Sequence, residues 1–358
     1  MKIVLITDTH HGGRNDSSVF CDYFFQFYDS VFFPYLKENN IKTVIHLGDA
    51  VDRRKYINFK TLQRFRDDFI HRLGRMGVDT HVIVGNHDIY YRNTNKINAL
   101  DTLFTTLDGK YEPWIYPNPK VVNFDGLDIL LLPWITSENY DMSIKIIKET
   151  KVPIVMGHLQ VQGFSMATGL RPSMEGLPSI LFDRFDLVCS GHYHHRSNNG
   201  TIFYLGAPYE ITWADYQDER GFHVFDTDTR ELEFIQNPYN MFYKIFYNDE
   251  GKQLEDVIPK NLSQYKNKMV KVIVENKTNP YWFDIMLDHL YKTNPNDVTI
   301  IEDHTEFDIN DDSVSVDQAE DTLTILGKFI DTMETNVEKE KLKTLFNELY
   351  HEAITVND

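Results

Sequence analysis

Cysteine is scarce in this chain. Only Cys21 and Cys189 occur among 358 residues, and they lack the spacing of a metal or redox pair. That argues against a disulfide-stapled secreted domain and a thiolate zinc site, and both thiols are expected in the core of a reduced, intracellular protein. Long apolar runs are lacking too. None approaches the length of a membrane span, and residues 1–6 are too few for the apolar region of a secretory signal before polar chemistry begins. Positive charge is also in short supply: 36 Lys and Arg face 54 Asp and Glu, a net of −18. A uniformly acidic surface would argue against a nucleic-acid substrate. The deficit is uneven, however. Residues 297–358 hold 17 acidic and 4 basic side chains, a net of −13, which leaves −5 for residues 1–296. Global charge therefore argues against the tail touching nucleic acid and says little about the body. There is no internal repeat and no low-complexity tract.

What the chain does have is 42% hydrophobic residues, enough for one large core and a smaller second unit. In the first two hundred residues, short apolar runs alternate with helical stretches. Residues 3–6, 43–47, 80–84, 127–132, 153–156 and 187–189 read as buried strands, and 19–37, 59–75, 97–107 and 141–149 as helices. That alternation is an α/β pattern. Short strands at 201–205, 222–226 and 231–235 are expected to form a second sheet packed on the first. Residues 248–303 read as a small separate module, with strands at 269–275 and 297–302 and a helix at 282–291. An acidic linker at 304–316 precedes a helical pair at 317–358. There Leu323, Leu326, Ile330 and Met333 share one helix face, and Leu342, Leu345, Phe346 and Leu349 share another.

Five polar motifs fall at the carboxyl ends of the expected strands, where functional loops of α/β sheets gather. They are Asp8-Thr9-His10, Gly48-Asp49-Ala50-Val51-Asp52, Gly85-Asn86-His87-Asp88, Gly157-His158 and Gly191-His192-Tyr193-His194. In an extended segment residues i and i+2 point the same way, so Asp8 and His10 are expected to reach one ion. The four glycines are expected to let the backbone turn tightly. Imidazole, carboxylate and an Asn carbonyl without thiolate suit a borderline-to-hard divalent ion such as manganese, with magnesium the alternative. The number of donors fits two ions sharing one carboxylate, an arrangement that clamps phosphate and activates water.

With these five blocks the sequence resembles the calcineurin-like metallophosphoesterase superfamily. The resemblance implies a two-sheet α/β/β/α sandwich over 1–247, a small α+β capping domain at 248–303 and a C-terminal helical partner-binding pair. It implies that Asp8, His10, Asp49 and His194 hold one metal, and that Asp49, Asn86, His158 and His192 hold the other. His87 would be the general acid, oriented by Asp52 or Asp88. Gly48-Asp49-Ala50-Val51-Asp52-Arg53 is similar to the block of phosphoprotein phosphatases, but Arg54 replaces their usual glycine. Tyr204-Leu205-Gly206-Ala207-Pro208-Tyr209, with Trp213 and Arg220-Gly221-Phe222, instead resembles the SbcD-type nuclease subunits, in particular their phage branch. That resemblance implies manganese-dependent cleavage of DNA, as an exonuclease on duplex ends and an endonuclease on single strands or hairpins. It also implies a homodimer through 59–75 and 97–107, and an SbcC-type coiled-coil ATPase bound by the C-terminal helices. A phosphatase or small-nucleotide phosphodiesterase on the same site is the alternative.

Arg53 and Arg54, beside the second motif, read as phosphate contacts for DNA. His11, His195 and Arg196 read equally as phosphate contacts or as exposed loop residues. Tyr193 reads as packing, and Tyr209 and Trp213 as aromatic packing under the cap, with base stacking as their alternative.

Overall fold

Alternate side chains of the first strand, β1 (Lys2–Ile6), enter different cores. Val4 and Ile6 join an apolar cluster shared with helices, whereas Ile3 and Leu5 join a cluster shared with another sheet. This is the two-residue period of a strand buried on both faces. The same alternation recurs in β2 (Thr43–His46) and β3 (Asp79–Ile83), where Val44 and Val82 face helices and Ile45 and Ile83 face the sheet. The computed structural model describes residues 1–104, 112–166, 171–302, 339 and 341–343. It divides the chain into two compact units, Met1–Asp311 and Asp312–Asp358. In the second unit the described residues are helical; the linker at 304–316 and nearly all of the expected helical pair lie outside the described residues.

The remaining strands are β4 (Trp114–Tyr116), β5 (Lys120–Phe124), β6 (Leu127–Leu132), β7 (Ile154–His158), β8 (Leu187–Gly191), β9 (Ser197–Asn198), β10 (Ile202–Tyr204), β11 (Gly221–Asp226), β12 (Leu232–Gln236), β13 (Phe242–Asn248), β14 (Met269–Asn276) and β15 (Asp297–Ile301). The first sheet runs β12-β11-β1-β2-β3-β4, the second β5-β6-β7-β8-β10-β9, and the third β13-β14-β15. The second sheet presents Ile129, Leu131, Ile154, Met156 and Cys189 to the first. Its other face carries Leu130, Leu132, Val155 and Val188.

Helix α1 runs from Ser18–Phe27 through a π-helical turn, Tyr28–Phe32, into Phe33–Glu38; α2 likewise joins Phe59–Gln63, Arg64–Ile70 and His71–Arg75. Tyr28 and Phe32 of α1 meet Phe69 of α2 at ring distances of 4.7 and 5.8 Å. Both helices share the outer cluster of the first sheet. Helix α3 (Ala99–Phe104) lies on that side too, and α4 (Tyr140–Glu149) covers the outer face of the second sheet through Ile147. The layers are therefore helix, sheet, sheet, helix. Among the described residues no helix is long and apolar enough to cross a membrane. Cys189 is buried as expected, but Cys21 is half-buried at the edge of the core, its sulfur 3.4 Å from an Arg64 guanidinium nitrogen.

The expected second sheet needs correction. Strands β11 and β12 do not build it; they extend the first sheet, with β11 antiparallel to β1 in the register Lys2↔Asp226 to Leu5↔His223. The second sheet is instead built on β6, β7 and β8. Pairing between residues more than two hundred positions apart leaves no local sequence signal. The third sheet is all-parallel and starts at Phe242. Helix α5 (Pro280–Tyr291) connects β14 to β15, capped by the Asn279 side chain, and buries Phe283, Met286 and Leu290 against the sheet.

Glu210 ties the first sandwich to the third sheet. Its carboxylate accepts the amides of Met241 at 2.5 Å and Phe242 at 2.9 Å. Burial pushes its carboxyl up from 4.5 to about 7. A value raised above that of the unfolded chain means a stabilising contribution that is full in acid and lost as pH climbs through 7. Glu210→Gln cannot ionise. Between pH 5 and 8 the wild type is expected to lose about 2 kcal/mol of unfolding free energy relative to Glu210→Gln in urea titrations. A difference independent of pH would contradict this.

A candidate metal centre at the strand ends

The loops leaving β1, β2, β3, β7 and β8 meet at one rim, laced by main-chain bonds. Asp8 N donates to Gly48 O and His10 N to Asp49 O, both at 3.0 Å. The expected extended geometry of Asp8-Thr9-His10 does not hold. Asp8 (φ 51°) and His10 (φ 41°) are left-handed, as are Asp49 (φ 53°) and His192 (φ 91°). Such backbone costs roughly 1–3 kcal/mol per non-glycine residue and persists only where its surroundings over-determine it. The glycines also differ from expectation. Gly48 does supply a turn, at φ 99°. Gly85 and Gly191 do not: a Cβ on Gly85 would run into Asp49, and one on Gly191 into Thr7 and Asp8. They are there because other atoms approach so closely.

Asp88 over-determines the Asp49 loop. Its carboxylate accepts four amides: Gly85 at 2.8 Å, Asp49 and Ala50 at 3.0 Å and Val51 at 3.1 Å. These four amides fill the acceptor positions of the Asp88 carboxylate. The His87 Nδ1 instead lies 2.6 Å from the main-chain carbonyl of Asp52. The Asp52 carboxylate faces His10 Nδ1 at 3.4 Å. Of the two expected partners, Asp52 serves His87 through its backbone and His10 through its side chain.

The candidate ligands converge. Asp49 Oδ2 lies 3.2 Å from His158 Nε2 and 3.9 Å from His10 Nε2. His10 Nε2 and His194 Nε2 are 3.0 Å apart, and His194 Nε2 is 4.0 Å from Asp8 Oδ1. The Asn86 Oδ1 lies 2.9 Å from both His158 Nε2 and His192 Nδ1. His158 Nδ1 donates to Leu47 O at 2.8 Å, which directs its Nε2 inward. Asp8 is held from behind, accepting the His192 amide (3.0 Å) and the Thr7 hydroxyl (2.7 Å). Three donor groups emerge, Asp8–His10–His194, His10–Asp49–His87 and Asp49–His158–His192, with Asp49 common to two. His87 thus stands within the cluster.

Burial raises the cost of every charge here. It pushes Asp8 up, with Asp49 adding to it and His158 opposing. It would raise Asp49 as well, but the imidazoles of His158 and His87 hold that carboxylate well below the usual range. Burial alone would lower His158, yet Asp49 and Asp8 take it up to about 9. Burial and His10 push His194 far down, leaving a neutral imidazole. Close imidazoles and carboxylates, without thiolate, are the donor set of a borderline-to-hard dication, and the residues fit two such ions.

Other sequence-singled residues fall outside the cluster. Arg53 is ion-paired with Asp16 and lies 4.5 Å over the Tyr56 ring; Arg54 is half-buried in the same loop. His195 meets Asp218 at 2.9 Å, and Arg196 meets Glu219. His11 is buried and stacked on Phe65 at 4.4 Å. Tyr193 is buried, and Trp213 packs on Phe242 at 4.6 Å. Tyr209 is also buried, stacked on Phe24 at 3.9 Å, so it is not open to a base. Its hydroxyl donates to Thr9 O at 2.5 Å, between Asp8 and His10. Buried Arg220 donates to the His194 carbonyl, to Asp215 (2.9 Å) and to Asp218 (2.8 Å). These two residues explain why the segment from Gly206 to Gly221 accompanies the site. Sequence reasoning missed Trp134, whose ring lies 4.8 Å from that of His192. Its position just past β6 was the available signal.

Fold and donor set together are those of a metal-dependent phosphoesterase. The chain belongs to the calcineurin-like phosphoesterase family, whose profile matches residues 1–196. Exonuclease subunit 1 of Enterobacteria phage T4 is 33% identical over 323 residues, covering 89% of this chain and 90% of that protein. The SbcD component of the SbcCD nuclease of Staphylococcus saprophyticus is 25% identical over 224 residues, covering 58% of this chain and 57% of that protein. A solved archaeal phosphodiesterase matches 66% of this chain and 100% of its own at 16% identity, with a TM-score of 0.34.

Ions that bind only the folded chain stabilise it by mass action. Mn2+ at a hundredfold its dissociation constant is expected to add about 2.7 kcal/mol, read as a rise in melting temperature that Asp49→Ala removes. An equal rise in the variant would contradict the assignment of Asp49.

Proposed function

We propose that this chain is the nuclease subunit of a DNA recombination and repair complex, hydrolysing DNA phosphodiesters with two divalent ions, manganese in preference to magnesium. The observation that carries the two-ion reading is the Asp49 carboxylate between His158 and His10, at 3.2 and 3.9 Å. The DNA reading is supported by the likeness to two proteins named as nuclease subunits. Asp8, His10, Asp49 and His194 would hold one ion, and Asp49, Asn86, His158 and His192 the other. Bound there, the pair supplies Lewis acidity toward the phosphate and an activated water for in-line attack.

The protein's own residues do the rest. The Asp52 carbonyl fixes the Nδ1–H of His87 at 2.6 Å, so a protonated His87 delivers its other proton, from Nε2, to the leaving oxygen. Arg53 and Arg54 hold the DNA backbone; Arg53 must exchange Asp16 for phosphate to do so. Cleavage proceeds as an exonuclease on duplex ends and an endonuclease on single strands or hairpins. The subunit works as a homodimer, and residues 317–358 dock on an SbcC-type coiled-coil ATPase.

The test is Mn2+-dependent digestion of end-labelled DNA by wild type and His87→Gln. The variant is expected to lose about 10²–10⁴-fold in rate while binding Mn2+ as tightly as wild type. Retained cleavage would contradict the role of His87. Rapid turnover of p-nitrophenyl phosphate, with none of DNA or of a synthetic diester, would overturn the nuclease reading in favour of a phosphatase.

A further inference from the structure

Two loops border His87: residues 53–60, after the second motif, and residues 90–97, after the third. Together they hold six basic residues, Arg53, Arg54, Lys55, Lys60, Arg92 and Lys96, and no acidic one, in a chain of net charge −18. They also expose three tyrosines: Tyr56 at 65%, Tyr90 at 38% and Tyr91 at 52%. The loops touch each other. Lys55 Nζ lies 6.0 Å over the Tyr90 ring, and the Tyr90 and Tyr91 rings meet edge to face at 4.7 Å. The residue just before the first loop, Asp52, meets His87 through its main-chain carbonyl.

Tyr90 and Tyr91 stand on a loop held by several hydrogen bonds. Tyr90 N donates to Ile97 O at 2.9 Å, closing the second loop at its base. Within it the Asn95 amide donates to Pro117 O (3.1 Å) and Trp134 O (2.9 Å). Rings exposed in this way forgo the burial that would stabilise them. Arg53 and Lys96 are paired with Asp16 and Glu138, while Lys55 stands over the Tyr90 ring and Arg92 follows Tyr91 in the chain.

We propose that this rim is a subsite for an unpaired DNA strand, in which Tyr56, Tyr90 and Tyr91 stack on bases while Lys55 and Arg92 meet phosphates. The proposal rests on the nuclease reading and narrows it. In an intact duplex the bases are already stacked on one another and offer no free face, whereas a single strand or a frayed end does. Interleaved aromatic and basic side chains are what such a strand requires.

The test uses the full chain, metal chelated so that nothing is cut, and fluorescence anisotropy with labelled oligothymidylate and a blunt duplex. Tyr90→Ala and Tyr91→Ala are each expected to weaken the single strand by about tenfold and the duplex by much less. Tyr91→Phe, which keeps the ring, retains wild-type affinity. Equal losses on both probes, or none on either, overturn the proposal. So does sedimentation showing that Tyr91→Ala turns a dimer into a monomer, because the rim would then be a self-association surface. A wild type that binds neither probe, and cuts neither when Mn2+ is restored, refutes the nuclease reading itself.

Discussion

Four backbone amides converge on the carboxylate of Asp88, and the position of Asp49 follows from that convergence. Without it, the amides of Gly85, Asp49, Ala50 and Val51 would be buried and unmet, at a cost of about 1–3 kcal/mol each. The clamp ties the turn after β3 to the turn after β2. It also keeps Asp49 left-handed, so that its carboxylate reaches toward the second sheet and His158. The cost falls on Asp88 itself, whose carboxyl is pushed up to about 6, first by burial and then by Asp49.

Similar supports stand behind the other candidate ligands. Arg220 fixes the His194 carbonyl, the Tyr209 hydroxyl fixes the Thr9 carbonyl, and Leu47 O fixes the His158 tautomer. Each is buried, and each acts on a loop whose backbone is strained or tightly approached. A rim built this way has little freedom to rearrange. Its carboxylates repel one another across short distances, and a divalent cation between them relieves that repulsion. Rigidity and crowding of charge are two sides of one design, because donors that cannot move apart must be neutralised where they stand.

Much of this was legible in the sequence. Short apolar runs ending in Asp, Asn and His marked the strands and the rim they share, because a strand buried on both faces needs continuous hydrophobic residues and a ligand needs to leave it. The partners of the ligands were not legible. His87 was expected to be oriented by Asp52 or Asp88; the acceptor beside its Nδ1 is the Asp52 main-chain carbonyl, and a carbonyl has no sequence signature. The pairing of β1 with β11 escaped for the same reason: it is long-range and depends on nothing local. Gly85 and Gly191 were legible as glycines but not for their cause, which is the neighbour against which each is pressed. Arg53 was visible as a cation, but its pairing with Asp16 was not, because Asp16 sits in a left-handed turn that no local pattern announces.

The central proposal is that Asp49 would be shared by two divalent ions in one cluster. Electron paramagnetic resonance of the Mn2+-loaded chain, with the bound metal counted in the same sample, tests it most directly. The account predicts two ions per chain and the spectrum of a spin-coupled pair, reduced in Asp49→Ala to weaker, uncoupled binding. One ion per chain, or two ions with uncoupled six-line spectra in the wild type, would contradict it.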